Sequence, residues 1–179
     1  MGSPRLTVSV VGAGQATAQE SAWAEEVGRL LAGRGAVLLC GGLGGVMEAA
    51  CSGARAAGGL TVGILPGYDR TAANPWTDVA IATGLAEARN VIVAASGDGV
   101  IAVGGSLGTL SEIAFALKLR RPVVTLGSWH LDPKHLPAQA TLFAAQTPAE
   151  AVDLLFRHLS ARKPPGEPGE GSRASGGQA

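Results

Sequence analysis

Short apolar runs alternate with longer amphipathic stretches along this chain. Residues 6–11, 36–40, 60–65, 100–103 and 122–126 are runs of strand length, rich in Val, Leu and Ile. Between them, apolar residues recur every three or four positions, as in Trp23, Val27, Leu30 and Leu31. That spacing marks one face of a helix. The pattern predicts strands over 6–11, 36–40, 60–65, 78–82, 100–103, 122–126 and, last and short, 141–144. It predicts helices over about 17–32, 46–57, 85–95, 109–119 and 149–159. Two loops interrupt the alternation. One carries the turn signals Pro66-Gly67 and Asn74-Pro75, and the other covers 127–139.

Strand and helix in strict alternation imply right-handed crossovers and parallel pairing. Strands that are apolar at nearly every position imply burial on both faces. The expected fold is α/β: a doubly wound, mostly parallel, Rossmann-like sheet with helices on both faces. One domain is expected over 1–162, followed by a disordered tail over 163–179, where Pro, Gly and Ser replace large apolar residues. In such sheets ligands bind beyond the carboxyl ends of the strands. Three of those ends are rich in glycine: 12–14, 41–45 and 104–108.

Composition narrows the partners. The chain has 179 residues, 46% of them hydrophobic and 16% charged, which suits a compact core rather than a disordered chain. Its 27 glycines are about double the usual share of roughly 7%. Formal net charge is zero, and Lys and Arg form no run beyond Arg120-Arg121. A nucleic-acid partner would call for a basic footprint, so none is expected. No apolar stretch reaches the roughly 20 residues of a membrane span, and no apolar leader follows Met1, so a cytoplasmic protein is expected. Cys40 and Cys51 lack metal-ligand spacing and read as core fillers; no metal site is expected.

Gly12, Gly14, Gly41, Gly42, Gly44 and Gly45 form two of the glycine turns. The first resembles a dinucleotide fingerprint, but Thr17 stands where a third Gly or Ala belongs and no acid ends the second strand. That counts against NAD and leaves a phosphate-contacting turn. The third turn is Gly104-Gly105-Ser106-Leu107-Gly108-Thr109, at the start of a helix. Backbone N–H groups and the helix dipole make such a turn a cradle for an anion. Glu112 follows one turn later. Thr109 and Glu112 fit the T-x-x-E capping box, and a helical projection places Glu112 opposite a core stripe of Leu110, Ile113, Ala114 and Leu117. Arg89 falls at the border of the apolar face of the helix predicted over 85–95, where a snorkelling surface residue is the ordinary reading. Phe115 and Leu119 lie away from the core stripe, which predicts a homodimer.

These pieces, in this order, resemble the LOG-like (lysine-decarboxylase-like, DprA-related) Rossmann family over about residues 5–160. The segments Ile64-Leu65-Pro66-Gly67, Asn74-Pro75 and Ala82 through Asn90 are most similar to the branch of molybdenum-cofactor carrier proteins. The resemblance implies a phosphorylated ligand of nucleotide or pterin type. No cofactor is then required for chemistry, and the molybdenum cofactor itself is a possible bound ligand. In the LOG enzymes the matching residues cleave the N-glycosidic bond of nucleoside 5′-monophosphates. By position, Arg89 and Glu112 match the catalytic pair, and Gly104, Gly105, Gly108 and Thr109 match the phosphate cradle. Val103 stands where the LOG motif has Pro, and Asn90 where it has Lys. Two functions are therefore expected: a ligand-binding protein, or a phosphoribohydrolase. A purely structural subunit is the third reading.

Overall fold

The computed structural model describes residues 5–161; the tail predicted over 163–179 lies outside them. Twelve main elements follow one another. They are β1 (Thr7–Gly12), α1 (Ala18–Gly33), β2 (Val37–Cys40), α2 (Val46–Ala56), β3 (Thr61–Leu65), β4 (Val79–Ala82), α3 (Asn90–Ser96), β5 (Gly99–Val103), α4 (Leu107–Lys118), β6 (Val123–Leu126), β7 (Leu142–Ala145) and α5 (Pro148–Ala161). The strands form one sheet in the order β4-β3-β2-β1-β5-β6-β7, and every pairing is parallel. This is the α/β, doubly wound, Rossmann-like fold expected from the alternation.

Side chains on the strands alternate between two apolar layers, as the pleat requires. Val8, Val10, Leu38, Cys40, Ile101 and Val103 pack with residues of α1, α2 and α5, including Val27, Leu31, Ala50 and Leu155. Val11, Leu39, Val100 and Ala102 pack on the other face with Val93 and Ala94 of α3 and Ile113, Ala116 and Leu117 of α4. Each fully buried Val, Leu or Ile contributes about 1.5–3 kcal/mol. Cys40 and Cys51 are buried free thiols with their sulfurs 3.5 Å apart, so they do fill the core.

The winding sets the site. From β1 the chain moves outward through β2, β3 and β4; it then returns to β5, on the other side of β1, and moves outward again. The order reverses between β1 and β5, and the loops after those strands part there. That gap is where sheets of this type leave room for a ligand.

Two elements differ from the periodicity. The helix predicted over 85–95 is split into a 3-10 turn at Ala86–Arg89 and the α-helix α3. Ala86 sits in the left-handed region with φ of 47°, and its N–H donates to the Pro66 carbonyl. That contact holds the turn against the loop after β3 and delays the regular helix. The helix predicted from 109 begins instead at Leu107, with Ser106 as its cap.

Candidate functional site

A cavity of about 280 Å³ opens at the carboxyl ends of β1, β2, β3 and β5. Val11, Gly12 and Gly14 line it from β1 and its turn, Gly41, Leu43 and Met47 from the β2–α2 connection, and Pro66 from the end of β3. Ala86, Glu87, Arg89 and Asn90 form another wall, and Ser106, Gly108, Thr109 and Glu112 close it from α4.

The amino end of α4 borders the cavity. The first turn of a helix leaves backbone N–H groups without partners inside the helix, and the dipole adds partial positive charge there. Ser106, Gly108 and Thr109 bring that turn to the cavity. The expected Thr109–Glu112 capping box is not formed. Thr109 lies inside the first turn and its Oγ1 accepts the Ser106 N–H at 3.3 Å. A T-x-x-E box does form at α1, where Thr17 is the cap and Glu20 Oε2 accepts the Thr17 N–H at 2.8 Å. The Thr that departs from a dinucleotide fingerprint thus begins a helix.

The buried stripe of α4 is Thr109, Glu112, Ile113, Ala116 and Leu117. This corrects the projection that placed Glu112 opposite the core: Leu110 is only half-buried and Ala114 is exposed, while Glu112 is 6% exposed. Phe115 is half-buried against the second apolar layer, and Leu119 remains exposed. Glu112 thus lies on the buried side of α4, at the edge where the sheet gives way to the cavity.

Arg89 is also buried, at 8% exposed, and is not a snorkelling surface residue. It ends the 3-10 turn, and its Nη1 donates to the Ile64 carbonyl of β3 at 2.9 Å. Its guanidinium lies against the Cα of Gly41, where any side chain would overlap it. Ion pairs among the described residues join Arg29 to Glu26, Arg34 to Asp153 and Arg55 to Asp78. Arg89 and Glu112 interact at longer range. Burial lowers the pKa of Arg89 from its ordinary value, and the Glu112 charge opposes that shift. Burial pushes the Glu112 carboxyl up to about 7, against the pull of Arg89. At neutral pH Glu112 is therefore shared between acid and carboxylate, the state suited to moving a proton.

The fold brings Gly12, Gly14, Gly41, Arg89, Ser106, Gly108, Thr109 and Glu112 around one cavity. Five other candidates are not among the residues that line it. Gly42 packs on Leu65 and Gly63, Gly44 faces the Gly14 carbonyl, and Gly45 packs on the Ala13 and Gly14 backbone. Gly104 packs on the Glu20 carboxylate and Gly105 on the Thr109 side chain. These five shape the loops rather than line the cavity.

Two asparagines carry more of the site than the pattern suggests. Asn90 lines the cavity, and its Nδ2 donates to Ser111 Oγ at 2.9 Å, tying α3 to α4 beside Glu112. Asn74 is buried; its Nδ2 donates to the Leu43 carbonyl and its N–H to the Gly42 carbonyl, at 3.0 and 2.9 Å. It fixes the glycine turn after β2. The signal for both was position: Asn90 follows Arg89, and Asn74 precedes a proline.

Glycine turns, a helix amino end and a buried acid meet around one cavity at the switch point of a Rossmann-like sheet. The chain belongs to the SLOG cluster4 family, whose model matches residues 5–152. Two solved structures are similar along nearly their whole length. The molybdenum cofactor binding protein of Rippkaea orientalis is 40% identical with a TM-score of 0.80, covering 87% of this chain and 98% of that one. The molybdenum cofactor carrier protein of Chlamydomonas reinhardtii is 35% identical with a TM-score of 0.77, covering 88% and 100%. A cytokinin riboside 5′-monophosphate phosphoribohydrolase of Mycobacterium tuberculosis is 37% identical over 120 residues, covering 61% of this chain and 64% of that protein. Among the described residues, no helix is long and apolar enough to cross a membrane, and no group of three or more His, Cys, Asp or Glu could hold a metal ion.

Proposed function

We propose that the protein binds a phosphorylated small molecule bearing a heteroaromatic ring system, a nucleotide or a pterin of molybdenum-cofactor type. The phosphate occupies the amino end of α4, and the rest of the ligand extends toward Arg89 and Glu112. The observation that carries this reading is a shared cavity: the first turn of α4 and the buried Arg89 and Glu112 open into one space. Its volume of about 280 Å³ lies near the lower end of small-molecule sites, roughly 300–1,000 Å³. The similar carrier proteins support the pterin class. The donors fit such cargo: backbone N–H groups suit phosphate, while Asn90 and Arg89 supply hydrogen-bonding edges for a ring. A cytoplasmic protein with a small ligand and no nucleic-acid partner belongs to the same reading. Calorimetry with AMP, modified adenine monophosphates and the molybdenum cofactor tests it. Saturable binding of at least one is expected; no binding across the set contradicts the proposal.

A second reading is favoured by the Glu112 carboxyl near neutrality. Cleavage of an N-glycosidic bond passes through an oxocarbenium-like state. As a carboxylate, Glu112 stabilises that positive charge and accepts a proton from the attacking water. The bond to the base breaks, water supplies the hydroxyl, and the base leaves with a proton. Arg89 orients the ligand and keeps part of the Glu112 population ionised. Incubation with AMP then yields adenine and ribose 5-phosphate, and Glu112→Ala abolishes that yield. Base release unchanged in Glu112→Ala rejects the role.

The protein is also proposed to pair with a second copy through the outer side of α4. Leu107, Leu110 and Ala114 succeed one another along that side, and Leu107 is 74% exposed.

A further inference from the structure

A second cavity, of about 200 Å³, opens at the carboxyl ends of β6 and β7. Trp23, Ser128, Trp129, His130 and Gln146 are among its lining residues. The sequence pattern assigned this region only to a long loop.

Three observations show a built site. Gly127 has a φ of 58° and runs so close beneath Trp23 that a side chain there would stand 2.6 Å from Cζ3 of the indole. The loop backbone thus supports the Trp23 ring. Ser128 Oγ is buried and has no hydrogen-bond partner among the described residues, a state that costs free energy unless something else supplies the bond. Trp129 donates from Nε1 to the Ser106 carbonyl at 3.1 Å. That bond joins the wall of this cavity to the cap of α4, which borders the first one. The indoles are not stacked on each other: the close aromatic pair among the described residues is Phe143 with His158.

We infer that this cavity holds a second flat heteroaromatic ring of the same ligand, a nucleobase or pterin carried on the far side of the phosphate. The inference rests on the proposed phosphate position at α4. Indole faces bind such rings by stacking, which tolerates many ring types. Ser128 supplies one hydrogen bond to the polar edge of the ring. The ligand class is therefore a dinucleotide-like molecule, with a phosphate bridge at Ser106 between two ring systems.

The test compares ADP with diadenosine diphosphate, which share the phosphate pair and differ by the second nucleoside. The protein carries three tryptophans, so Trp76→Phe leaves emission from Trp23 and Trp129 alone. In that background diadenosine diphosphate is expected to bind about tenfold tighter than ADP and to quench emission, whereas ADP does not quench it. Trp129→Ala should reduce diadenosine diphosphate to the affinity of ADP, beyond whatever loss of the Ser106 hydrogen bond costs both probes. Trp129→Phe, which keeps a ring but not the donor to Ser106, should retain most of the preference. Equal affinity of the two probes, or equal weakening of both by Trp129→Ala, overturns the inference while leaving the phosphate site standing. Loss of the preference in Trp129→Phe overturns the ring contact and makes the indole N–H only an anchor. Failure of both probes to bind overturns this inference; failure of the calorimetric panel as well overturns the reading beneath it.

Discussion

The guanidinium of Arg89 rests against the Cα of Gly41, in space that any other residue at 41 would fill with its own Cβ. One glycine of the turn after β2 thereby admits a buried cation into the cavity wall. The cation is held from the other side by the Ile64 carbonyl.

Gly41→Ala tests this contact. The methyl group would displace Nη1 from the Ile64 carbonyl rather than break the fold. The expected cost is about 1–2 kcal/mol of stability, with a larger relative loss in ligand affinity. Chemical denaturation and calorimetry on the same variant separate the two. Unchanged binding would mean that Arg89 does not need its present position.

The raised carboxyl of Glu112 predicts a pH-dependent stability. Its folded pKa of about 7 exceeds the ordinary carboxyl value of 4.5 because burial disfavours the charge. The folded state therefore binds a proton more tightly than the unfolded chain. Stability from this group is complete below about pH 4.5 and is lost as pH rises through about 7. Glu112→Gln removes the titration. The variant should gain on the wild type by up to about 3 kcal/mol at pH 8, with the difference shrinking toward pH 4. Denaturation midpoints measured at both values check this; a gap independent of pH contradicts it.

The outer side of α4 predicts association. Leu107, at its start, is 74% exposed. Light scattering should give about twice the chain mass, and Leu107→Glu with Ala114→Glu should return the monomer. A monomer mass for the wild type removes the proposal.

The sheet and helices were legible because apolar runs and helical spacing differ in period. The seven strands appear within a residue or two of their expected places. The chemistry was legible only in part. Arg89 and Glu112 could be named, but their surroundings could not be read from hydrophobicity. A projection assumes that apolar residues mark the buried side. At α4 the buried side includes Thr109 and Glu112, and apolar Leu107 and Ala114 face out. A cavity between strand ends makes polar burial possible there, and that cavity exists only once β1 and β5 are paired. Arg89 was missed as a buried residue for a related reason: the contact between Ala86 and Pro66 that turns it inward spans the loop after β3. Glycine content alone did not separate turns that line the cavity from turns that pack on Glu20 or Thr109, because both need glycine.

Gly108 offers the most direct test of the phosphate position. It lies in the first turn of α4, lines the cavity, and has open space where a Cβ would stand, with only Ser106 Oγ near, at 3.9 Å. Gly108→Asp should fold at least as well as the wild type, since an acid in the first turn of a helix stabilises it by about 0.3–1 kcal/mol. The same carboxylate would repel a phosphate. Mass spectrometry of small molecules released from gently purified protein decides the matter. The wild type should release a phosphate-bearing heteroaromatic compound in near-equal amount to the chain, and folded Gly108→Asp should release almost none. Equal release from both proteins, or none from the wild type, would contradict the account.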